Sequence, residues 1–116
     1  MENRVAITGM GVISPIGNNL SEFWKNLKSG KNGISNITLF NTDNFDVKIA
    51  GESKVKLEDF FDRKELNKLD RFSAFAILAA DQAIEQSSLI KNKISKDRIG
   101  VIVGSGVGGI GTFETQ

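Results

Sequence analysis

The chain has 116 residues, 40% of them apolar, with 15 Lys and Arg against 14 Asp and Glu and a formal net charge of +1. That is the composition of about one globular domain, without the basic excess that nucleic acid or an anionic membrane surface would call for. It contains no Cys and no His, which excludes disulfides, thiolate chemistry, most transition-metal sites and the commonest general base from these residues.

The stretch Arg4 to Gly17, RVAITGMGVISPIG, opens with an apolar run without polar alternation. Val5, Ala6, Ile7, Val12 and Ile13 predict a strand covered on both faces, in the middle of a sheet. Gly9 and Gly11 let another backbone or a helix come close, and Pro15 and Gly17 end the strand in a turn. Asn19 followed by Glu22 has capping-box spacing, and Leu20, Phe23, Trp24 and Leu27 form one helical stripe that Gly30 stops. Trp24 in such a stripe is expected in the core. Together these elements make a βα unit.

From Lys31 to Thr42 the mixture of Asn, Gly, Ser and Thr predicts an irregular loop anchored by Ile34, Ile37, Leu39 and Phe40. Residues 45–49 alternate apolar and polar, as in an edge strand. Leu57, Phe60 and Phe61 fit a short helix, and Asp62 caps another over 63–69 that carries Arg63, Lys64 and Lys68. A long helix is predicted over 70–87: Phe72, Phe75, Ala76, Ala79, Ala80 and Ala83 form its stripe, and Ile77, Leu78 and Ile84 widen it. A helix apolar over so much of its circumference needs cover on two sides, so further structure is expected from more chain or a second subunit. A basic loop with Lys91, Lys93, Lys96 and Arg98 follows, then Ile99-Gly100-Val101-Ile102-Val103, a second strand of the buried type.

Gly104, Gly106 and Gly109 satisfy G-x-G-x-x-G directly after that strand. A dinucleotide fingerprint also needs a following helix to receive the pyrophosphate and an acidic residue about 20 positions on, and the sequence ends at Gln116. Ser105 lacks the glycines two places either side that a nucleophile elbow requires, and no His is present to activate it. The glycines are read as backbone freedom.

Two βα-type units separated by a long insertion predict an α/β fold with a largely parallel sheet flanked by helices, incomplete in this chain. A resemblance sharpens this. Thr8, Gly9, Gly11, Ser14, Pro15 and Gly17, then Phe23-Trp24, Gly33-Ile34, Ala50-Gly51, Arg63-Lys64, Leu69-Asp70-Arg71-Phe72, Arg98-Ile99-Gly100 and the GSGVGG run stand in the order and spacing of one family. In these residues the chain resembles, end to end, the N-terminal part of the elongating β-ketoacyl-acyl-carrier-protein synthases of bacterial-type fatty-acid synthesis, condensing enzymes of the thiolase fold.

That resemblance implies a decarboxylative Claisen condensation between an acyl group held on an active-site Cys and malonyl carrier protein, with two His assisting. All three catalytic residues lie beyond the matching part of the family's chain, so no catalytic residue is assigned here, nor any metal or cofactor. It implies an acyl carrier protein as partner in its acyl and malonyl forms, and a homodimer. Lys64 and Lys68 are the candidate docking residues for the acidic carrier, and Val107 is the candidate acyl-pocket wall. Residues 1–116 are therefore read as the N-terminal segment of a synthase, inactive alone. No nucleic acid or membrane partner is expected: no apolar run reaches the roughly 18 residues of a spanning helix and no signal peptide is evident, which makes the cytoplasm the expected compartment. A non-catalytic protein that binds an acyl carrier or a ketosynthase subunit stays open as an alternative, and so does a small nucleotide-binding domain.

Overall fold

The computed structural model describes residues 4–92 and 94–115, so Lys93 of the basic loop lies outside the described residues. The chain divides into two compact units, one of Met1–Gly11 with Lys56–Gln116 and one of Val12–Val55.

In the second unit, Ser14 to Gly17 closes a tight turn in which Ser14 and Gly17 exchange both backbone hydrogen bonds, at 2.9 and 3.3 Å. Helix α1 follows over Leu20–Lys28. Its start is the expected cap with one change. Asn19 Oδ1 accepts the Glu22 amide at 2.9 Å, while Glu22 Oε2 reaches back one residue further, to the Asn18 amide at 2.8 Å. At its end Gly30 adopts φ +68°, and the Gly30 and Lys31 amides reach Leu27 and Asn26 carbonyls, the hydrogen-bond pair of a Schellman stop. Trp24 is not in a core: it is 55% exposed, with the Lys28 ammonium 5.5 Å from its ring centroid. Nothing among the described residues covers that side of α1, and the cation on the ring is the partner the indole has instead.

Strands β1 (Ser35–Asn36) and β2 (Ile49–Ala50) pair antiparallel, Ser35 opposite Ala50 and Asn36 opposite Ile49. The Ile37 amide donates to Lys48 at 2.9 Å and extends the ladder. Glu52 then acts as a further rung, its carboxylate accepting from the Thr38 amide and hydroxyl and from the Leu39 amide. So the loop expected over 31–42 supplies a strand, and the edge strand expected over 45–49 pairs only at its end. Ser and Asn are poor strand formers; cross-strand pairing, a non-local event, overrides their preference.

In the first unit a 3-10 turn over Leu57–Asp59 precedes α2 (Arg63–Leu66), which is shorter than the predicted 63–69. Asp62 and Glu65 form a complete capping box on it. Helix α3 spans Arg71–Ser87, close to its predicted extent, and buries Ala74 and Leu78. Its end is a second Schellman-type stop with Ser88 at φ 53° in the place glycine usually fills. A 3-10 turn covers Lys96–Arg98 and a final helix, α4, covers Ile110–Thr115.

The central contact of this unit is the one the small residues predict. Gly9 lies against the Ala83 carbonyl and Gly11 against the Ala79 carbonyl so closely that a Cβ at either glycine would overlap helix backbone. The Met10 amide between them donates to Gln86 Oε1 at 2.6 Å.

The sheet differs from expectation. The only sheet among the described residues is the antiparallel β1–β2 pair, and neither 5–13 nor 99–103 is in a ladder. Neither run is buried: Val5 is 94% exposed, Ile7 81% and Ile102 100%. A fully buried parallel strand needs a neighbour on each edge and a layer on each face; α3 gives the first run cover at Gly9 and Gly11, and no described residue supplies the rest.

The backbone contact sets an order of costs. Gly11→Ala is expected to destabilise the complete protein by about 3 kcal/mol, the upper range for overpacking, because the obstruction is helix backbone rather than a movable side chain. Gly30→Ala, strained only by its positive φ, should cost about 1 kcal/mol. Urea unfolding of the two variants checks the order; equal costs would mean that Gly11 does not carry the close approach.

Candidate functional site

Helix α2 is four residues long and owes its start to the box around it. Asp62 Oδ1 accepts the Lys64 and Glu65 amides at 2.7 and 2.8 Å, and Glu65 Oε2 accepts the Asp62 amide at 2.9 Å. Both acids are thereby committed to backbone donors. Lys64 and Lys68 are exposed, and among the described residues neither forms an ion pair. The sequence places two cations on this surface, and the structure adds why the neighbouring acids leave them available to an external anion.

The glycine segment lies between Val103 and α4. Gly104 and Gly106 have nothing within 4 Å of where a Cβ would stand, whereas Gly108 takes φ +79° and faces the Phe72 ring, 3.8 Å from that position. Ser105 Oγ accepts the Gly108 amide at 3.0 Å. That bond closes a turn, which is a structural use for the one hydroxyl in the run. Val107, at the crest, is 77% exposed and borders a hollow of about 310 Å³ with Gly109, Ile110 and Phe113. An apolar rim of this kind can receive an apolar chain and holds no group able to move a proton or coordinate a metal. Lys64 and Lys68 do not line the hollow, so docking surface and apolar wall are separate features.

Asp70 has a role that its sequence position hides. It precedes α3 where a capping carboxylate belongs, yet its side chain makes no cap there. Instead Asp70 Oδ1 accepts from the hydroxyl of Thr112 in α4, and the carboxylate lies so close to Gly109 that a Cβ would overlap it. The partners are 42 residues apart; no local spacing signals the contact.

This geometry revises the nucleotide alternative. A helix does follow the G-x-G-x-x-G run, so a missing helix is no longer the objection. The objection is that a carboxylate already stands at the start of α4, where a pyrophosphate would meet like charge.

Comparison with known proteins gives a consistent pattern. Residues 2–116 match the family model described as "Beta-ketoacyl synthase, N-terminal domain". The chain is 48% identical over 112 residues to 3-oxoacyl-[acyl-carrier-protein] synthase 2 of Staphylococcus aureus (strain COL), covering 96% of this chain and 27% of the relative. It is 42% identical over 116 residues to the Synechocystis protein of the same name, covering 99% of this chain and 28% of that one. Among solved structures, the ishigamide ketosynthase/chain length factor superposes with a TM-score of 0.74 at 26% identity, over 94% of this chain and 27% of the other. The chain thus spans little more than a quarter of the length of the relatives it matches.

The position of Asp70 predicts that NAD⁺ or ATP at about 1 mM produces no saturable change in thermal stability or intrinsic fluorescence. Saturable binding that is lost when Gly106 is replaced by Val would restore the nucleotide reading.

Proposed function

The chain belongs to the beta-ketoacyl synthase family, whose N-terminal domain it matches over residues 2–116, and from that premise we propose that it is the N-terminal segment of a 3-oxoacyl-acyl-carrier-protein synthase of fatty-acid synthesis. The observation that carries the reading is an end-to-end match, 42–48% identical, to relatives named for that activity. In the proposed reaction an acyl thioester on a Cys outside residues 1–116 is attacked by the carbanion that malonyl carrier protein forms on losing CO₂. The new C–C bond gives the 3-oxoacyl carrier protein, and the Cys leaves as thiolate. Within residues 1–116 the roles are those of scaffold, docking surface and pocket wall. The exposed apolar faces of 5–7 and 101–103 fit a segment whose sheet neighbours come from the rest of the synthase, in a largely parallel sheet and a homodimer. A cytoplasmic, cofactor-free enzyme is the proposed setting.

Residues 1–116 contain no Cys or His, and removing a covalent nucleophile with its partners costs many powers of ten in rate. The polypeptide of residues 1–116 should therefore form no measurable 3-oxoacyl carrier protein from acyl and malonyl carrier proteins. Substituted for the corresponding part of the Staphylococcus aureus synthase, it should support that reaction. A folded but inactive chimera would count against the proposal.

Lys64 and Lys68 are proposed to meet the acidic carrier. Reversing both to Glu in the active synthase should raise the carrier-protein KM by about tenfold and flatten its dependence on salt, leaving kcat for a carrier-free acyl thioester unchanged. An unchanged KM would reduce the pair to a solvated face.

Val107 is proposed as a wall of the acyl pocket. Val107→Phe removes the room of several methylenes, each worth about 0.8 kcal/mol when buried, so kcat/KM should fall far more for long primers than for short ones. Uniform loss across primer lengths, in a variant whose folding is verified, would remove Val107 from the pocket.

A further inference from the structure

The segment that carries Val107 is anchored, within residues 1–116, from its C-terminal side. Before it, Gly104 and Gly106 touch nothing within 4 Å of a Cβ position. After it, Gly108 faces the Phe72 ring, Gly109 abuts the Asp70 carboxylate, and Thr112 donates its hydroxyl to Asp70 Oδ1. All three contacts come from the start of α3, a 17-residue helix whose own position is fixed by the backbone approach of Gly9 and Gly11. Glycines before and after Val107 leave its backbone adjustable, and the anchor at Asp70 sets where that segment rests.

We infer that Asp70 is a positioning residue for primer-length selection: by holding Thr112 and the start of α4 it keeps Val107 against the acyl chain. The inference rests on the reading of Val107 as a pocket wall. Asp70 touches neither substrate nor reacting atoms in this scheme and acts only through α4. Losing the anchor lets that segment move aside on its glycines, which relaxes discrimination against long primers. That is opposite in sign to enlarging Val107, and unlike the uniform loss a general folding defect gives.

The test uses an active synthase in which this chain is the N-terminal segment, with Thr112→Val, Thr112→Ser, Asp70→Ala and the Asp70→Ala/Thr112→Val pair. Thr112→Val keeps the shape and removes the donor; Thr112→Ser keeps the donor. Two readouts are taken. One is the ratio of kcat/KM for long over short primers, the other amide exchange at Gly108 and Phe113, whose hydrogen bonds to Ser105 Oγ and the Gly109 carbonyl lie in the held segment. Thr112→Val and Asp70→Ala should each raise the ratio by about tenfold, the order of a lost charged hydrogen bond. The double variant should do no more than either single one, Thr112→Ser should match the parent, and exchange at both amides should quicken in Thr112→Val. Unchanged exchange in Thr112→Val would overturn the anchor itself. Faster exchange with an unmoved ratio, while Val107→Phe still shifts it, would overturn the selection role and leave the pocket reading standing. If Val107→Phe leaves the ratio unmoved as well, the pocket reading fails, the selection role falls with it, and faster exchange then establishes Asp70 as a structural anchor alone.

Discussion

The approach of Gly9 and Gly11 to the carbonyls of Ala83 and Ala79 is the contact on which the larger unit depends. Two residues of extended chain advance about 6.6 Å and four residues of helix about 6 Å, so the two pairs fall in step along one face of α3. Gly9 meets the later alanine and Gly11 the earlier one, so the two segments run in opposite directions. A strand followed by an antiparallel helix is the half-turn from which α/β folds are built. Only glycine permits it at this distance, because a Cβ would have to occupy the space of a backbone carbonyl that the helix cannot move without breaking its own hydrogen bonds.

With α3 fixed, its first turn becomes a platform. Asp70 and Phe72 hold the start of α4 and the glycine beside it, while just upstream Lys64 stands in α2 and Lys68 in the turn that follows its end at Leu66. The carboxylates near those lysines are consumed in backbone caps, and the Asp70 carboxylate, at the N-cap position of α3, is taken instead by Thr112 of α4. In each case an acid is removed from one electrostatic role by a geometric one. Net charge near zero therefore says little about local potential: the 14 acids and 15 bases are not interchangeable once some acids are tied to amides.

The apolar surfaces left open follow the same economy of position. Only Val55, Ala74 and Leu78 are buried hydrophobic side chains among the described residues, against a long row of exposed Val, Ile and Phe. Runs such as 99–103 have the composition of strands buried on both faces, and each such side chain forgoes roughly 1.5–3 kcal/mol while it remains in water. The relatives that the chain matches are nearly four times as long, and the proposed reading of residues 1–116 as an N-terminal segment would account for that composition.

The sequence by itself determined what depends on residues close together in the chain. The extent of α1 and α3, the Asn19 and Asp62 caps, the positive φ at Gly30 and the turn at Ser14 to Gly17 all follow from side-chain chemistry within a few positions; Gly9 and Gly11 mark where a backbone can come close, and the fold decides that it is the one at Ala83 and Ala79. The family too was legible, because its motifs are strings and spacings. What only the tertiary structure decided are the pairings between distant residues. Ser35 and Asn36 became a strand because Ile49 and Ala50 came alongside; Trp24 stayed in water because no layer reached it; Asp70 turned from its own helix to Thr112, 42 residues away. A strand's ladder, a side chain's burial and a carboxylate's choice of partner each depend on what folds against them, and that is not written at the residue itself.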